Sequence, residues 1–229
     1  VLAAMIPCVW RVYPATARRG AEATRDLPRA AADVGPLVRT PAFWALAFVF
    51  TVAPLVGYLA TLQHAVYFAG LGFGAREAAA MLMAGGVLAT AGRALAGLAA
   101  DRFGGAVAGA VSYSLTLLGL LCLVGLELAP SRALAWAYVL LLFLPLGSRA
   151  AIVAVLVARI APAGRYGTVF GLLSVGNNLG AALGPWLSGA LYDWTGSYLA
   201  IWLVAAALVA AALVALAVFG RVTPRPRPG

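Results

Sequence analysis

Six long apolar stretches, separated by short polar segments, dominate the chain. Each has at least the roughly 20 residues that a helix needs to cross the hydrocarbon core of a bilayer. A backbone in lipid must satisfy its own hydrogen bonds, so each stretch predicts a transmembrane helix. The pattern predicts an all-α fold, a polytopic membrane helix bundle, with spans at approximately Pro41 to Gly70, Glu77 to Ala100, Gly104 to Glu127, Ala133 to Ala158, Tyr166 to Tyr192 and Ser197 to Phe219.

The segments around these stretches predict the domain boundaries. Residues 1–13 are apolar with no basic residue ahead of them, so we expect the end of a preceding transmembrane helix rather than a signal peptide. Residues 14–40 are polar and predict a cytoplasmic linker, either a solvated connector or a short amphipathic helix on anionic lipid. Residues 41–220 are expected to form the six-helix bundle, and the Pro/Arg-rich residues 221–229 predict a disordered cytoplasmic tail. The sequence is expected to be part of a longer protein.

Composition agrees with a membrane protein. The chain of 229 residues is 64% hydrophobic and 10% charged, with a mean hydropathy of +0.97, which leaves too little polar surface for a soluble domain. The net charge of +9 comes from arginine alone, because the sequence contains no lysine. In a membrane protein this charge indicates anionic headgroups as partners and not nucleic acid. No enzyme signature is present, and a single histidine predicts no metal site and no cofactor.

The arginines also predict the orientation. Only Arg76 and Arg132 fall on the opposite side from the linker, so the positive-inside rule places the linker and the C-terminus in the cytoplasm. The expected location is a bacterial plasma (inner) membrane. The arginines on the predicted cytoplasmic side are Arg11, Arg18, Arg19, Arg25, Arg29, Arg39, Arg102, Arg159, Arg165, Arg221, Arg225 and Arg227.

The motif G-x4-G-x3-D-x2-G occurs twice, from Gly92 to Gly104 and from Gly184 to Gly196. The first copy ends the second span inside, and the second copy ends the fifth span outside, so the copies have opposite orientation. This predicts two inverted three-helix repeats, the architecture of one six-helix half of a secondary transporter with its site near the midplane.

These residues resemble the C-terminal half of a major facilitator superfamily transporter. Gly97-Leu-Ala-Ala-Asp101-Arg102-Phe-Gly104 is similar to that superfamily's signature between its eighth and ninth helices. Arg93 and the run from Gly184 to Tyr198 are similar to the monocarboxylate and oxalate/formate branches. The resemblance implies alternating-access transport of a small organic anion, a missing N-terminal six-helix half as partner, and a cytoplasmic gate formed by Asp101, Arg102, Gly97 and Gly104.

Two arginines are the main candidates for substrate binding. Arg93 and Arg149 lie within hydrocarbon, where a charge costs about 2.5 to 3.5 kcal/mol, so each is expected to face protein or a water-filled cavity. The planar guanidinium can bind a carboxylate in a bidentate manner. The alternative for each is a structural pairing with helix carbonyls or with an acid of the missing half. The resemblance favours Arg93, although the acidic residue that monocarboxylate carriers place one turn earlier is here Ala89.

Four further polar residues complete the predicted substrate site. His64 is interpreted as lining an outer vestibule with Tyr58, the alternative being an interhelical hydrogen bond. Of Asn177 and Asn178, one is expected to face the cavity and the other to bond a neighbouring helix. Protons are a further candidate partner, carried by His64, by the substrate or by the missing half.

Two other functions stay open on the sequence. One is a major facilitator exporter of drugs or amphipathic metabolites, which would have a wide, aromatic-lined cavity. The other is a non-transporting membrane sensor or scaffold. Pro145 and Gly147 predict a loosened fourth span just before Arg149.

Overall fold

The computed structural model describes residues 34–162 and 164–222, with the side chain of Asp101 excepted. The described residues form no strand and confirm the all-α polytopic bundle. Residues 1–13, most of the predicted linker and residues 223–229 lie outside the described part. The helices are α1 (Gly35–Val38), α2 (Pro41–Gly70), α3 (Ala75–Phe103), α4 (Gly105–Leu128), α5 (Arg132–Leu146), α6 (Arg149–Ile160), α7 (Tyr166–Thr195) and α8 (Tyr198–Val222).

All six predicted spans fold as helices, the fourth being divided into α5 and α6. Five helical segments are long and apolar enough to cross a membrane by length and composition. The fifth predicted span, α7, has 30 residues but is not among these five. Its glycines and its asparagine pair dilute the apolar content. The five segments are Pro41–Gly70, Ala75–Ala100, Gly105–Leu128, Arg132–Ile160 and Tyr198–Val222.

Both motif copies end their helices at a glycine with a positive φ. Gly104 has a φ of +84° after α3, and Gly196 has a φ of +64° after α7. Glycine adopts positive φ without the steric cost that a Cβ brings, which explains why each copy ends in glycine.

The helix packing agrees with two three-helix repeats. The most extensive contacts of α2 are with α7 and α8, and those of α4 are with α5 and α8, while α3 packs mainly on α5. Exchanging the unit α2–α4 with the unit α5–α8 maps these pairs onto one another. Two prolines within helices, Pro54 and Pro145, also lie at corresponding positions, 91 residues apart. These correspondences support the inverted repeat predicted from the motif.

Close backbone contact joins the two units. A Cβ at Gly92 would overlap the carbonyl oxygen of Leu144 in α5, and a Cβ at Gly184 would overlap that of Leu55 in α2. The second glycine of each copy, Gly97 or Gly189, has no such neighbour within 4 Å. The first glycine of each motif therefore permits helix approach, as small residues do in membrane bundles.

The described arginines separate the two ends of the bundle. Arg76 and Arg132 lie at one end, where the Arg132 Nε is 3.5 Å from the Glu77 Oε1. We call the other end the arginine-rich end, and the arginines there are Arg39, Arg102, Arg159, Arg165 and Arg221. This grouping agrees with the orientation predicted from the sequence.

Candidate functional site

The fourth span is interrupted at its centre. Helix α5 ends at Leu146, and α6 begins at Arg149. The carbonyl oxygen of Pro145 accepts from the Ser148 N–H at 3.1 Å and from the Ser148 Oγ at 2.6 Å. Gly147 is required because a Cβ there would overlap the carbonyl oxygen of Ala89 in α3. The predicted loosening is therefore a break between two helices, and it places Arg149 at the start of the second.

Arg149 is buried and held by two neighbouring helices. Only 6% of the residue is exposed. Its Nη1 donates to the carbonyl oxygen of Ala53 in α2 at 2.7 Å, and its Nη2 donates to the Thr116 Oγ1 in α4 at 2.6 Å. The guanidinium carbon lies 5.0 Å from the ring centroid of Tyr113, a distance typical of a cation–π contact. The buried Nε has no hydrogen-bond partner among the described residues.

Polar residues of α4 support this arginine. The Tyr113 hydroxyl donates to the carbonyl oxygen of Val49 at 2.6 Å, which fixes the ring against the guanidinium. The Thr116 Oγ1 donates to the carbonyl oxygen of Ser112 at 3.0 Å, and the Ser112 and Ser148 hydroxyls are 3.0 Å apart. Sequence reasoning did not identify these residues. The available signal was their spacing, since Ser112, Tyr113 and Thr116 share one face of an otherwise apolar helix.

No carboxylate neutralises Arg149 within the described side chains. The ion pair among these side chains joins Arg132 to Glu77, at the end of the bundle opposite the arginine-rich end. Within the described residues, the positive charge of Arg149 is therefore offset by carbonyl and hydroxyl dipoles and by an aromatic ring. Such a charge attracts an anion strongly in a medium of low dielectric constant.

A cavity of about 510 Å³ opens beside Arg149, between α2, the fourth span and α7. Two hydroxyl groups in the cavity wall, those of Thr61 and Ser174, donate hydrogen bonds to carbonyl oxygens of their own helices. No described residue hydrogen-bonds to the Tyr58 hydroxyl or to the amides of the asparagine pair. The side chains that define its chemistry are Phe50, Tyr58, Arg149, Phe170, Asn177 and Asn178.

Four of the six predicted substrate residues meet in this cavity, namely Tyr58, Arg149, Asn177 and Asn178. The expectation that one asparagine bonds a neighbouring helix is not met, because both line the cavity. Consecutive helical residues point about 100° apart, and the open face of α7 is wide enough for both.

Arg93 lies elsewhere. It is exposed on α3 and is not part of the cavity wall. A Cβ at Gly147 would lie 3.1 Å from the Arg93 Cγ, so the aliphatic stem runs beside the break in the fourth span. Within the described chain Arg93 has neither an ion pair nor a hydrogen bond from its side chain.

His64 does not line a vestibule. It is 1% exposed, with its Nδ1 3.4 Å from the Tyr138 hydroxyl and its Nε2 3.2 Å from the carbonyl oxygen of Ala78. The ring centroid is 4.6 Å from that of Phe68. The structure thus shows the interhelical hydrogen bond, because the apolar helix α2 turns this residue toward α3 and α5.

Replacing His64 with leucine should therefore affect stability rather than substrate affinity. The substitution leaves the Tyr138 hydroxyl without its imidazole partner, and a lost buried hydrogen bond costs about 1 to 3 kcal/mol. We expect a lower thermal midpoint in detergent and an unchanged KM for uptake. Ala65→Leu at the neighbouring exposed position is the control. An unchanged midpoint with a raised KM would instead indicate that His64 takes part in substrate binding.

The residues of the predicted gate lie at the arginine-rich end. Arg102 is exposed, Gly97 has open space around it, and the side chain of Asp101 is outside the described part. A Cβ at Gly104 would lie 3.1 Å from the Arg159 Nη2, so the guanidinium of Arg159 lies over the turn between α3 and α4.

The bundle, its broken span and its central cavity define a multi-pass integral membrane protein. The model of the Major Facilitator Superfamily matches residues 144–229, which begin near the end of α5 and include Arg149 and α7. This match covers less than half of the chain, and together with the membrane spans it supports a fragment of a transporter of the Major Facilitator Superfamily, whose members are transporters rather than enzymes. The match supports membrane transport by a major facilitator as the function. No curated protein matches it.

Proposed function

We propose that the protein moves a small organic anion, of monocarboxylate size, across the membrane by alternating access, as a secondary active or facilitative carrier. The observation that supports this proposal most is Arg149, a buried cation without a carboxylate partner in the wall of the cavity. The cavity volume of about 510 Å³ is sufficient for such a substrate. Small-molecule sites commonly measure about 300 to 1,000 Å³.

The cavity chemistry suggests how a carboxylate binds. Arg149 uses two of its five N–H donors for Ala53 and Thr116, so the Nε–H and one further N–H on each Nη remain. A carboxylate at the Nε edge would pair a buried donor that is otherwise unsatisfied. The amides of Asn177 and Asn178 supply neutral donors for the second oxygen. Phe50 and Phe170 offer apolar contact to the rest of the anion.

Arg93 remains a second candidate for anion contact. It is exposed on α3, and we propose that its side of this helix faces the missing six-helix half. In that arrangement Arg93 and Arg149 act from different walls of a larger central space, as the resemblance to monocarboxylate carriers implies for Arg93. The described part offers no carboxylate in the cavity for proton exchange, so protons, if coupled, travel with the substrate or through the other half.

We further propose that Asp101, Arg102, Gly97 and Gly104 form the cytoplasmic gate. The glycine turn and the guanidinium of Arg159 bring charged groups close to the C-terminus of α3, where cations interact favourably with the helix dipole. The protein then lies in the inner membrane of a bacterium, with its arginine-rich end on the cytoplasmic side.

Uptake by vesicles that carry the protein tests the anion proposal. We expect saturable uptake of at least one of radiolabelled lactate, pyruvate, formate and oxalate, with protein-free vesicles as the control. Arg93→Ala is assayed in parallel. A decrease similar to that caused by substitution of Arg149 would assign both arginines to the anion, whereas unchanged uptake would leave Arg149 as the anchor. Failure of wild-type vesicles to take up any anion would overturn the proposal.

An exporter of amphipathic compounds is the second candidate. It is favoured by the aromatic part of the cavity wall, where the Phe50 and Phe170 ring centroids are 6.0 Å apart and Tyr58 is 48% exposed. Tyr166 extends this surface, stacking on Phe170 at 5.8 Å. An exporter of neutral compounds would retain transport after loss of the Arg149 charge, so the same variant distinguishes the two functions.

A further inference from the structure

A second concave surface lies on the other side of the fourth span. It is a crevice of about 240 Å³ between α3, α4 and the helices α5 and α6. Ser148 lines the crevice and Arg149, the next residue, lines the central cavity, while no residue lines both. The crevice is therefore separate from that cavity.

We propose that this crevice binds one acyl chain of an anionic phospholipid whose phosphate lies against Arg102 and Arg159. The site and its ligand are independent of the transported substrate.

The walls of the crevice suit a hydrocarbon chain. They include the exposed apolar side chains of Leu95, Phe103, Val107 and Val111. The hydroxyls at the base are already paired, since the Ser148 Oγ donates to the Pro145 carbonyl oxygen and lies 3.0 Å from the Ser112 Oγ. No donor is left for a polar ligand. The volume is also below the range of about 300 to 1,000 Å³ that is common for whole small-molecule ligands.

The length of the crevice fits one leaflet of a bilayer. Along α3 it extends from Gly92 to Phe103, about 16 Å at 1.5 Å per residue. Half of the hydrocarbon core is about 15 Å thick. A chain in the crevice would thus run from near the midplane to the arginine-rich end, where a headgroup belongs.

The positive charge at the arginine-rich end of the crevice favours an anionic headgroup. Arg102 precedes Phe103 and is exposed, and the guanidinium of Arg159 lies over the adjacent turn at Gly104. Even with the carboxylate of Asp101 counted, this cluster keeps a net positive charge. Basic residues between transmembrane helices at such an interface bind anionic lipid headgroups, and each arginine strengthens the association about fivefold.

Native mass spectrometry of the purified protein tests the proposal. The protein is equilibrated in detergent with equal amounts of phosphatidylglycerol and phosphatidylcholine that carry the same acyl chains. We expect one tightly retained lipid, with phosphatidylglycerol preferred at least about fivefold. The double variant Arg102→Gln/Arg159→Gln should lose this preference. Arg221→Gln is the matched control, because Arg221 lies at the same end but α8 contributes nothing to the crevice.

Two variants fill the crevice itself. Ala99→Phe acts from its wall and Val111→Trp from its exposed rim, and each should abolish retention of both lipids while the protein elutes as a folded species. Wild-type protein without a retained lipid would overturn the proposal and would indicate that protein covers the crevice. A preference that survives in the double variant, or retention in both filled variants, would overturn it equally. None of these readouts depends on anion transport.

Discussion

Replacing Arg149 with methionine should abolish anion uptake without unfolding the protein. Hydrogen bonds to charged groups contribute about 1.5 to 3 kcal/mol, so loss of the guanidinium should lower transport at least about tenfold. Stability should be unchanged or increased, because a buried charge without a counter-charge has a desolvation penalty that an apolar side chain of similar length avoids. The measurements are radiolabelled uptake and the thermal midpoint of the purified protein.

Two further variants separate charge from geometry at Arg149. Arg149→Lys keeps the charge but not the planar set of donors, so we expect partial uptake with a raised KM. Thr116→Val removes one acceptor of the guanidinium while leaving the cation in place, so it should lower uptake less than Arg149→Met does. If Arg149→Met loses uptake only because it no longer folds, Arg149 is a structural residue and the anion proposal loses its main support.

Alanine at the first glycine of each motif copy should shift the thermal midpoint in the opposite direction from alanine at the second glycine. Gly92→Ala and Gly184→Ala bring a Cβ onto the carbonyl oxygens of Leu144 and Leu55, and overpacking of this kind costs about 1 to 3 kcal/mol. The contact is with backbone, so a rotamer change cannot relieve it. We expect a lower thermal midpoint in detergent and less folded protein in the membrane for both variants.

The second glycines provide the matched controls. Gly97 and Gly189 have no atoms within 4 Å of a new Cβ, other than those of their own helix turn and chain neighbours. Alanine is favoured over glycine within helices by roughly 0.5 to 1 kcal/mol, so Gly97→Ala and Gly189→Ala should raise the midpoint slightly. Midpoint shifts of the same sign in all four variants would contradict the backbone contacts described for the first glycines.

The helices and their order could be predicted from the sequence because hydropathy and the need to satisfy backbone hydrogen bonds act locally. The helix end at each motif copy could also be predicted, since a glycine after an apolar helix indicates a turn. The loosening of the fourth span before Arg149 could be predicted from Pro145 and Gly147 for the same reason. These features depend only on residues close together in the chain.

The direction in which each side chain points was less predictable. Helix α2 is apolar on all sides, so its sequence does not show that His64 turns into the bundle while Tyr58 faces the cavity. The partners of Arg149 come from α2 and α4, at separations of 96 and 33 residues. Such contacts depend on how the helices rotate and pack, which the apolar pattern of a single helix does not encode.

The corresponding prolines of the two repeats have a consequence for the origin of the site. Tyr58 follows Pro54 by four residues, and Arg149 follows Pro145 by four residues, and both line the same cavity. If the repeats descend from one duplicated gene, these two residues occupy what was once a single position. Identical residues there would have given either two repelling cations or no charge at all. In that case, divergence at this one position would have given the cavity one charged wall and one neutral wall in a scaffold that is otherwise symmetric.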